Sequence, residues 1–346
     1  MLIYWALFGY FAAGALMTSP GGVRSGPRLL FAFGAIVTAL LIGLRYEVGG
    51  DWGTYEYWFS YAQRVSLARV MDFGDPAYQF LNWGVAQLGL KVWAVNLVCG
   101  ALFSWGLWRF CKEQPEPWLA FALAIPYMVI VIAMGYTRQA VALGILMAGL
   151  ASFHRNSSTM RFAVYVAAAA LFHKTAVVTF PLVALANPRN RFLNFLIVIA
   201  TTWLLYGLFL EDAMEQYVQH YIKAEYSSQG AGIRIGMTML AAIVLWLAKD
   251  RLGLNDTERR LWRNFSLAAV AALILLIVLP SSTAVDRISL YIIPLQLAVL
   301  SRIPLATASV MGGRVAVLGY SALVQFVWLN YAQFARLWVP YRFYPF

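Results

Sequence analysis

Residues 118–153 read WLAFALAIPYMVIVIAMGYTRQAVALGILMAGLASF, and they contain one charged side chain, Arg138. The apolar runs 118–134 and 137–153 are each about as long as a helix that crosses the hydrocarbon core of a bilayer. Almost no loop separates the two runs, because only Gly135 and Tyr136 lie between them. The stretch therefore predicts two transmembrane helices, with Arg138 in the first turn of the second.

The same apolar character extends over the whole chain of 346 residues. Hydrophobic residues make up 62% and charged residues only 12%, with a mean hydropathy of +0.68. This composition excludes a soluble protein, and no soluble-sized segment remains for a cytosolic enzyme on a membrane anchor. We expect an all-α polytopic membrane protein, one integral membrane domain over 1–346 with about ten to twelve transmembrane helices. Spans are predicted near residues 2–18, 29–45, 92–110, 118–134, 137–153, 192–210, 234–249, 264–280, 286–303 and 314–335.

One further apolar segment, residues 162–186, has His173 and Lys174 in its middle and arginines beyond both of its ends. A single crossing would place one basic end on the outer side, against the positive-inside rule. Irregular backbone at membrane depth is tolerated where it lines a polar cavity. We therefore expect a broken helix around 162–186, with His173 and Lys174 near its tip.

The basic residues also predict an orientation. The net charge is +11, but the basic residues are scattered singly between apolar spans, so nucleic acid is not expected as a partner. With the N-terminus outside, the inner loops hold 15 of the 26 Lys and Arg and 5 of the 15 Asp and Glu. These loops are 19–28, 109–117, 154–161, 187–191, 249–263 and 302–314. The outer side then receives Arg45, Glu47, Asp51, Arg138, His173, Lys174, Asp286 and Arg287.

Two long outer connections, 46–91 and 211–233, are predicted as amphipathic segments that lie over a cavity at the outer leaflet. The two cysteines, Cys99 and Cys111, are twelve positions apart on one apolar stretch, too far apart to bridge. The three histidines show no pairing at ligand spacing. We expect neither a disulfide nor a metal site, and no cofactor.

Arginines near membrane spans are functional candidates, because such a charge is costly without an anion or a carboxylate partner. Arg45 follows the second span; it is interpreted as an anion ligand, as a snorkelling anchor or as the partner of Glu47. Arg138, followed by Gln139, starts a helix whose free N–H groups already favour an anion. A guanidinium fork at a helix N-terminus suits a diphosphate, with a carboxylate partner as the alternative.

Asp51 follows two glycines in Gly49-Gly50-Asp51 and precedes Tyr55 by one helical turn. It is either an N-cap of the following helix or, with Tyr55, a group that binds or deprotonates a sugar hydroxyl. Asp75, directly before Pro76, is interpreted as a helix cap.

His173 is either a general base or a hydrogen-bonded membrane histidine, and Lys174 joins it at a site only if the helix is broken. Asp286, Arg287 and Tyr291 begin the tenth predicted span, where an internal Asp–Arg pair is the alternative to a binding role.

Taken together, these residues form short motifs in a fixed order. The motifs are Arg45-x-x-x-Gly49-x-Asp51-x-x-x-Tyr55, Tyr136-Thr137-Arg138-Gln139-Ala140, Leu171-Phe172-His173-Lys174-Thr175-Ala176 and, more loosely, Asp286-Arg287-Ile288-x-x-Tyr291. In order and approximate spacing they resemble the EpsG family of Wzy-like polysaccharide polymerases, chiefly over residues 1–190.

The resemblance implies a metal-independent, GT-C-like glycosyltransferase in the bacterial inner membrane, with its active site facing the periplasm. Its substrate would be an undecaprenyl-diphosphate-linked oligosaccharide, and a flippase and a chain-length regulator are expected partners. Asp51 or His173 would activate the acceptor, with Asp51 favoured. The expected substrate-binding residues are Arg45, Glu47, Tyr55, Arg138, Gln139, Lys174, Asp286, Arg287 and Tyr291.

Two alternatives use the same substrates. An O-antigen-ligase-like transferase would pass the glycan to another acceptor, and a large outer domain, which this sequence does not have, would favour it. A flippase or transporter for lipid-linked oligosaccharides would need a polar path across the membrane, whereas these polar residues concentrate on one side.

Overall fold

A computed structural model describes residues 1–18, 28–187, 195–196, 199–200, 203, 230–279 and 282–345. Within these residues the secondary structure is helical, apart from one isolated β-bridge between Arg45 and Phe343. In the described part of the chain, four helices are long and apolar enough to cross a membrane, or five if one bent pair counts as a span. The prediction of an all-α polytopic membrane protein is confirmed.

The helices are numbered here in chain order. They are α1 (Leu2–Met17), α2 (Arg28–Gly43), α3 (Trp52–Ala62), α4 (Leu67–Met71), α5 (Pro76–Gln87), α6 (Val92–Lys112), α7 (Pro117–Ala124), α8 (Thr137–Asn156), α9 (Thr159–Ala170), α10 (Thr179–Ala184), α11 (Ala231–Ala248), α12 (Asp256–Val278), α13 (Ser282–Ser289), α14 (Pro294–Leu300), α15 (Ile303–Ala306) and α16 (Val310–Tyr331). A π-helix follows α7 at Ile125–Ala133, and short 3-10 helices lie at Lys174–Val178, Leu290–Ile292 and Ala335–Leu337.

The helices that qualify as spans by length and hydropathy are α6, α11, α12 and α16. Five further apolar helices have 10–17 residues: Leu2–Met17, Arg28–Gly43, Pro117–Ala133, Thr159–Ala170 and Lys174–Ala184. The predicted number of about ten to twelve spans is larger than four or five because it also counts apolar helices of this shorter length as membrane crossings. The predicted span 192–210 and the predicted outer segment 211–233 lie largely outside the described residues.

The chain divides into two compact units. Unit 1 comprises Met1–Ala148, Leu171–His173 and Arg314–Phe346. Within it, α2, α6 and α8 approach one another at glycines: a Cβ on Gly43 would lie 2.5 Å from the Cα of Leu97, and one on Gly106 would lie 1.8 Å from the Gly144 carbonyl oxygen. Small residues at these contacts let the backbones of neighbouring membrane helices touch, which is how apolar helices gain packing energy in lipid.

Unit 2 comprises Gly149–Ala170 and Lys174–Gly313. Here α9 ends at Ala170, a turn follows, and a 3-10 helix begins at Lys174. The predicted break of segment 162–186 at His173 and Lys174 is thus present. The predicted span 286–303 is also bent, because Ser282–Ile292 and Pro294–Ala306 meet at 44°; proline lacks the N–H that would continue the helical hydrogen bonds.

Buried ion pairs join loops that the charge pattern predicts on the same side of the membrane. In unit 1, Arg314 Nη2 donates to both carboxylate oxygens of Glu116, each at 2.8 Å. Its Nη1 donates to the carbonyl oxygen of Thr18. In unit 2, Glu258 accepts from Arg302 at 2.6 Å and lies 3.3 Å from His154. Thr18 ends the first predicted span, and the other residues of these contacts lie in predicted inner loops.

We predict that Glu116→Gln lowers the free energy of unfolding by about 3–5 kcal/mol, because it leaves the buried Arg314 guanidinium without a counter-charge. The side chains of this pair are only 2% and 3% exposed. The measurement is thermal unfolding of the purified protein in detergent.

Asp250→Asn is the matched control, since the Asp250–Arg259 pair has the same charges but is 69% and 43% exposed. It should change stability by less than about 1 kcal/mol. Equal effects of the two variants would contradict the role assigned to the buried pair.

Candidate functional site

Arg138 and Asp75 form the ion pair at the centre of the polar residues of unit 1. Arg138 Nη1 lies 2.8 Å from Asp75 Oδ2, and the two side chains are 37% and 8% exposed. The sequence analysis interpreted Asp75 as a helix cap. Asp75 does occupy the N-cap position of α5, but its side chain makes no capping hydrogen bond. The carboxylate contacts Arg138 instead, so the alternative interpretation of Arg138, a carboxylate partner, is the one observed.

The Arg138 side chain is partly exposed, so a ligand can approach it. Among the hydrogen bonds of the described residues, Arg138 makes one, from Nη1. The side chain projects from the first turn of α8, where backbone N–H groups have no partner within the helix and favour an anion.

Arg45 is fully buried and is held by neutral groups. It donates to the carbonyl oxygens of Val48 and Ile42, to Thr137 Oγ1 at 2.7 Å and to Asn96 Oδ1 at 3.4 Å. No described carboxylate forms an ion pair with it. Since Thr137 directly precedes Arg138, Arg45 joins the end of α2 to the start of the helix that carries Arg138.

The Glu47 side chain, a predicted ion-pair partner of Arg45, is directed to a different arginine. It is exposed and forms an ion pair with Arg342 at 2.5 Å. The interpretation of Arg45 as a partner of Glu47 is therefore not what the structure contains, and the snorkelling interpretation does not fit a side chain with no exposed surface.

Gly49, the first of the two glycines before Asp51, has a steric reason to be glycine. Gly49 has a φ of +108°, and a Cβ there would lie 2.1 Å from the carbonyl oxygen of Met134. The backbone of the first motif thus touches the chain just before Arg138. Asp51 occupies the N-cap position of α3 without a capping hydrogen bond from its side chain.

Tyr55 and Tyr78 line the same region. Both are buried, with ring centroids 5.8 Å apart, and both interact electrostatically with the Arg138 guanidinium, as does Asp51. Burial raises the pKa of Tyr78 well above its ordinary value, so its hydroxyl stays protonated and can donate to a sugar or phosphate oxygen. Gln139, the neighbour of Arg138, is also buried.

The third motif reaches this region through its first three residues. Leu171–His173 belongs to unit 1, and the Leu171 carbonyl accepts from the Ala77 N–H at 2.9 Å. This bond fixes the turn that ends at His173 against the start of α5, where Asp75 lies. We call this group the Arg138 site: Arg45, Asp51, Tyr55, Asp75, Tyr78, Thr137, Arg138 and the turn Leu171–His173.

The C-terminal segment 336–345 also supports the site, and the sequence analysis missed it. Two of its carbonyl oxygens accept hydrogen bonds from the first motif: that of Arg342 from the Tyr46 N–H and that of Leu337 from the Gly49 N–H, both at 2.9 Å. In the other direction, the Tyr344 N–H donates to the Leu44 carbonyl at 2.8 Å. These bonds hold the first motif between α2 and α3. The signal in the sequence for a role of segment 336–345 was its density of Trp, Tyr and Pro, although aromatic residues near a membrane span are common.

The remaining predicted residues lie in unit 2. Asp286 is buried and accepts two hydrogen bonds from Arg234, one of them 2.6 Å from Nε. Arg234 is a residue that the sequence analysis missed. Tyr291 is fully buried, with its hydroxyl oxygen 3.4 Å from Thr175 Oγ1, whereas Arg287 and Lys174 are partly exposed.

The Arg138 site combines two arginines with tyrosine hydroxyls and the carboxylates of Asp51 and Asp75. In the part of the chain that the structure describes, no three His, Cys, Asp or Glu side chains gather closely enough to hold a metal ion. A half-exposed guanidinium at a helix N-terminus, with a carboxylate and tyrosine hydroxyls nearby, can bind a phosphorylated ligand and orient hydroxyl groups.

Comparison with known families matches the model of the EpsG family to residues 28–343. No curated protein and no solved structure matches the chain. The matched range includes every residue of the Arg138 site.

We predict that Gly49→Ala destabilises the protein by about 2–3 kcal/mol, because the new Cβ meets a backbone oxygen and the positive φ is strained for alanine. The thermal midpoint in detergent should fall. Gly53→Ala, four residues on in α3, is the control, since a Cβ there meets nothing within 4 Å. It should leave the midpoint unchanged or raise it slightly; a midpoint that Gly49→Ala leaves unchanged would refute the steric role.

Proposed function

This chain belongs to the EpsG family of Wzy-like polymerases, and on that premise we propose that it extends a polysaccharide from lipid-linked repeat units. The glycan is transferred from an undecaprenyl-diphosphate carrier onto the next lipid-linked repeat unit. The reaction takes place at the outer face of the bacterial inner membrane, with the Arg138 site toward the periplasm.

The meeting of three separate motifs around Arg138 carries this proposal. Residues near 45–55, 136–140 and 171–173 come together in unit 1, although as many as 128 positions separate them in sequence. A cation with exposed donors lies among them, and a transfer from a lipid diphosphate requires such a group. As the sugar leaves, negative charge develops on the diphosphate, and a fixed guanidinium stabilises that charge.

The proposed transfer is a displacement at the anomeric carbon of the donor. The hydroxyl oxygen of the acceptor sugar forms the new glycosidic bond, and the bond to the diphosphate oxygen breaks with its electron pair on the diphosphate. Arg138 binds this leaving group in place of a metal ion, in a GT-C-type reaction. The hydroxyl proton passes to Asp51 or His173; we favour Asp51, since an inverting transfer commonly uses a carboxylate.

The other residues of unit 1 have supporting roles in this scheme. Arg45 contributes a buried positive charge and holds Thr137, and thus the turn that carries Arg138. Tyr55, Gln139 and Glu47 contact the sugars or the headgroup. We assign Lys174, Asp286, Arg287 and Tyr291 of unit 2 to binding of the lipid-linked substrates, with Arg234 fixing the Asp286 carboxylate. A flippase that delivers repeat units and a chain-length regulator are the proposed partners.

We predict that Arg138→Ala abolishes polymer formation, by about 100-fold or more, while the protein still folds. The loss of the guanidinium removes the proposed ligand contact and also leaves the buried Asp75 carboxylate without this counter-charge, so the thermal midpoint in detergent is measured alongside to confirm that the variant is folded. The measurement is mass spectrometry of lipid-linked saccharides in cells that carry the variant, in cells without the protein and in wild-type cells.

Arg64→Ala, which removes an exposed arginine from the predicted outer connection 46–91, is the matched control and should polymerise normally. Single repeats that accumulate on the outer-leaflet carrier, with loss of polymer, support the polymerase. Long lipid-linked polymer would instead identify a ligase, and single repeats trapped on the inner leaflet a flippase.

A further inference from the structure

We propose that Asp75 is an internal competitor for the diphosphate at Arg138, and that it speeds release of the spent carrier diphosphate after each transfer. This inference rests on the proposed function, because it assigns the diphosphate to Arg138. It adds a residue that lies outside all of the sequence motifs and that the sequence analysis interpreted as a helix cap.

The first step is the geometry of the ion pair. The carboxylate of Asp75 contacts Nη1 of Arg138 at 2.8 Å, and carboxylate and phosphate compete for the same guanidinium donors. A diphosphate that binds the guanidinium through two parallel hydrogen bonds must share or displace this contact. Arg138 is 37% exposed and Asp75 only 8%, so a ligand reaches the arginine before it reaches the carboxylate.

The second step is that the Asp75 carboxylate does not serve as the cap of α5. Asp75 precedes Pro76 at the N-cap position, yet its carboxylate makes no bond to the free N–H groups of the first turn. An aspartate at an N-cap ordinarily makes that bond. The side chain is instead directed to Arg138, so its position is explained by the cation and not by the helix.

The third step is the charge of substrate and product. In the donor the diphosphate is a diester between lipid and sugar, whereas the spent carrier carries a terminal phosphate that can ionise a second time. The product therefore attracts the guanidinium more strongly than the substrate does. A cation–phosphate contact that strengthens during the reaction favours inhibition of the enzyme by its own product.

A carboxylate already placed at the guanidinium solves this problem. When the carrier diphosphate loosens, Asp75 re-forms the ion pair, and Arg138 does not have to be left as an uncompensated cation near the membrane. The cost is a weaker substrate complex, because the same carboxylate also competes with the donor. Asp75 thus lowers affinity for both diphosphates and raises the rate at which the site is cleared.

The variant that tests this is Asp75→Asn, which keeps the shape and the N-cap position but removes the charge. Farnesyl diphosphate, a short-chain analogue of the spent carrier, is the binding probe for the purified protein in detergent. We expect Asp75→Asn to bind it about two- to tenfold more tightly than the wild type. Asp75→Glu, which restores a carboxylate, should return the affinity towards the wild-type value.

The kinetic experiment separates release from chemistry. With purified lipid-linked repeat units, Asp75→Asn should form the first linkage at nearly the wild-type rate and then slow, giving a burst of about one linkage per protein. Its steady-state rate should fall and its inhibition by farnesyl diphosphate should strengthen. A merely structural role for Asp75 would weaken binding and turnover together.

Asp72→Asn is the matched control, because Asp72 is an exposed carboxylate three residues earlier in the same loop. It should leave binding and turnover unchanged. Unchanged or weaker binding of the probe by Asp75→Asn overturns the proposal, and so does loss of the first turnover. Failure of the proposed function is distinguishable, since cells with Arg138→Ala would then form normal polymer whatever Asp75→Asn does.

Discussion

The buried guanidinium of Arg45 is the constraint on which the first unit depends. A cation with no exposed surface at the end of a membrane helix is tolerated only if hydrogen bonds replace its hydration. Arg45 obtains them from its own turn, from Asn96 on α6 and from Thr137 on α8. Three helix segments are thereby fixed around one charge. The chain after Arg45 therefore has to turn within a few residues and pass against the start of α8. This turn requires the close contact at Gly49, and the hydrogen bonds from the C-terminal segment hold it in place.

The same constraint explains why two neighbouring arginines differ in chemistry. The Arg45 donors are directed to neutral protein atoms, so its charge acts on the site only through the electrostatic potential that it adds. Among the described residues Arg138 makes one hydrogen bond, to a carboxylate, and its side chain is partly exposed. A charged ligand can therefore exchange with the partner of Arg138 but not with those of Arg45. Tyr78 lies within electrostatic range of both cations, and its burial keeps the hydroxyl a neutral donor beside them.

The sequence predicted those features that local pattern encodes. Apolar length predicted the helices, and the charged residues within and around 162–186 predicted a broken helix. The position of Arg138 at a helix start could be inferred from one stretch of chain. The partners of the charges could not, because they are far apart in sequence: 63 positions separate Asp75 from Arg138 and 52 separate Arg234 from Asp286. A lone aspartate before a proline has the pattern of a cap, and no local signal distinguishes it from an ion-pair partner. The C-terminal segment was missed for the same reason, since its contacts are mostly backbone hydrogen bonds, which any sequence can make.

Folding and function place opposite requirements on an ion pair at such a site: folding requires the pair to be formed, and ligand binding requires it to open. An arginine that waits for an anionic ligand beside an apolar membrane domain is costly to leave uncompensated, so a carboxylate next to it makes the ligand-free protein stable. The carboxylate that supplies this stability has to yield whenever the ligand arrives. A partner with perfect geometry and complete burial would hold the cation too tightly to release it. The contact between Arg138 and Asp75, in which the arginine is partly exposed, fits a pair that can form and break in each cycle, whereas the doubly bonded Arg314–Glu116 pair, with both side chains buried, fits a fixed support.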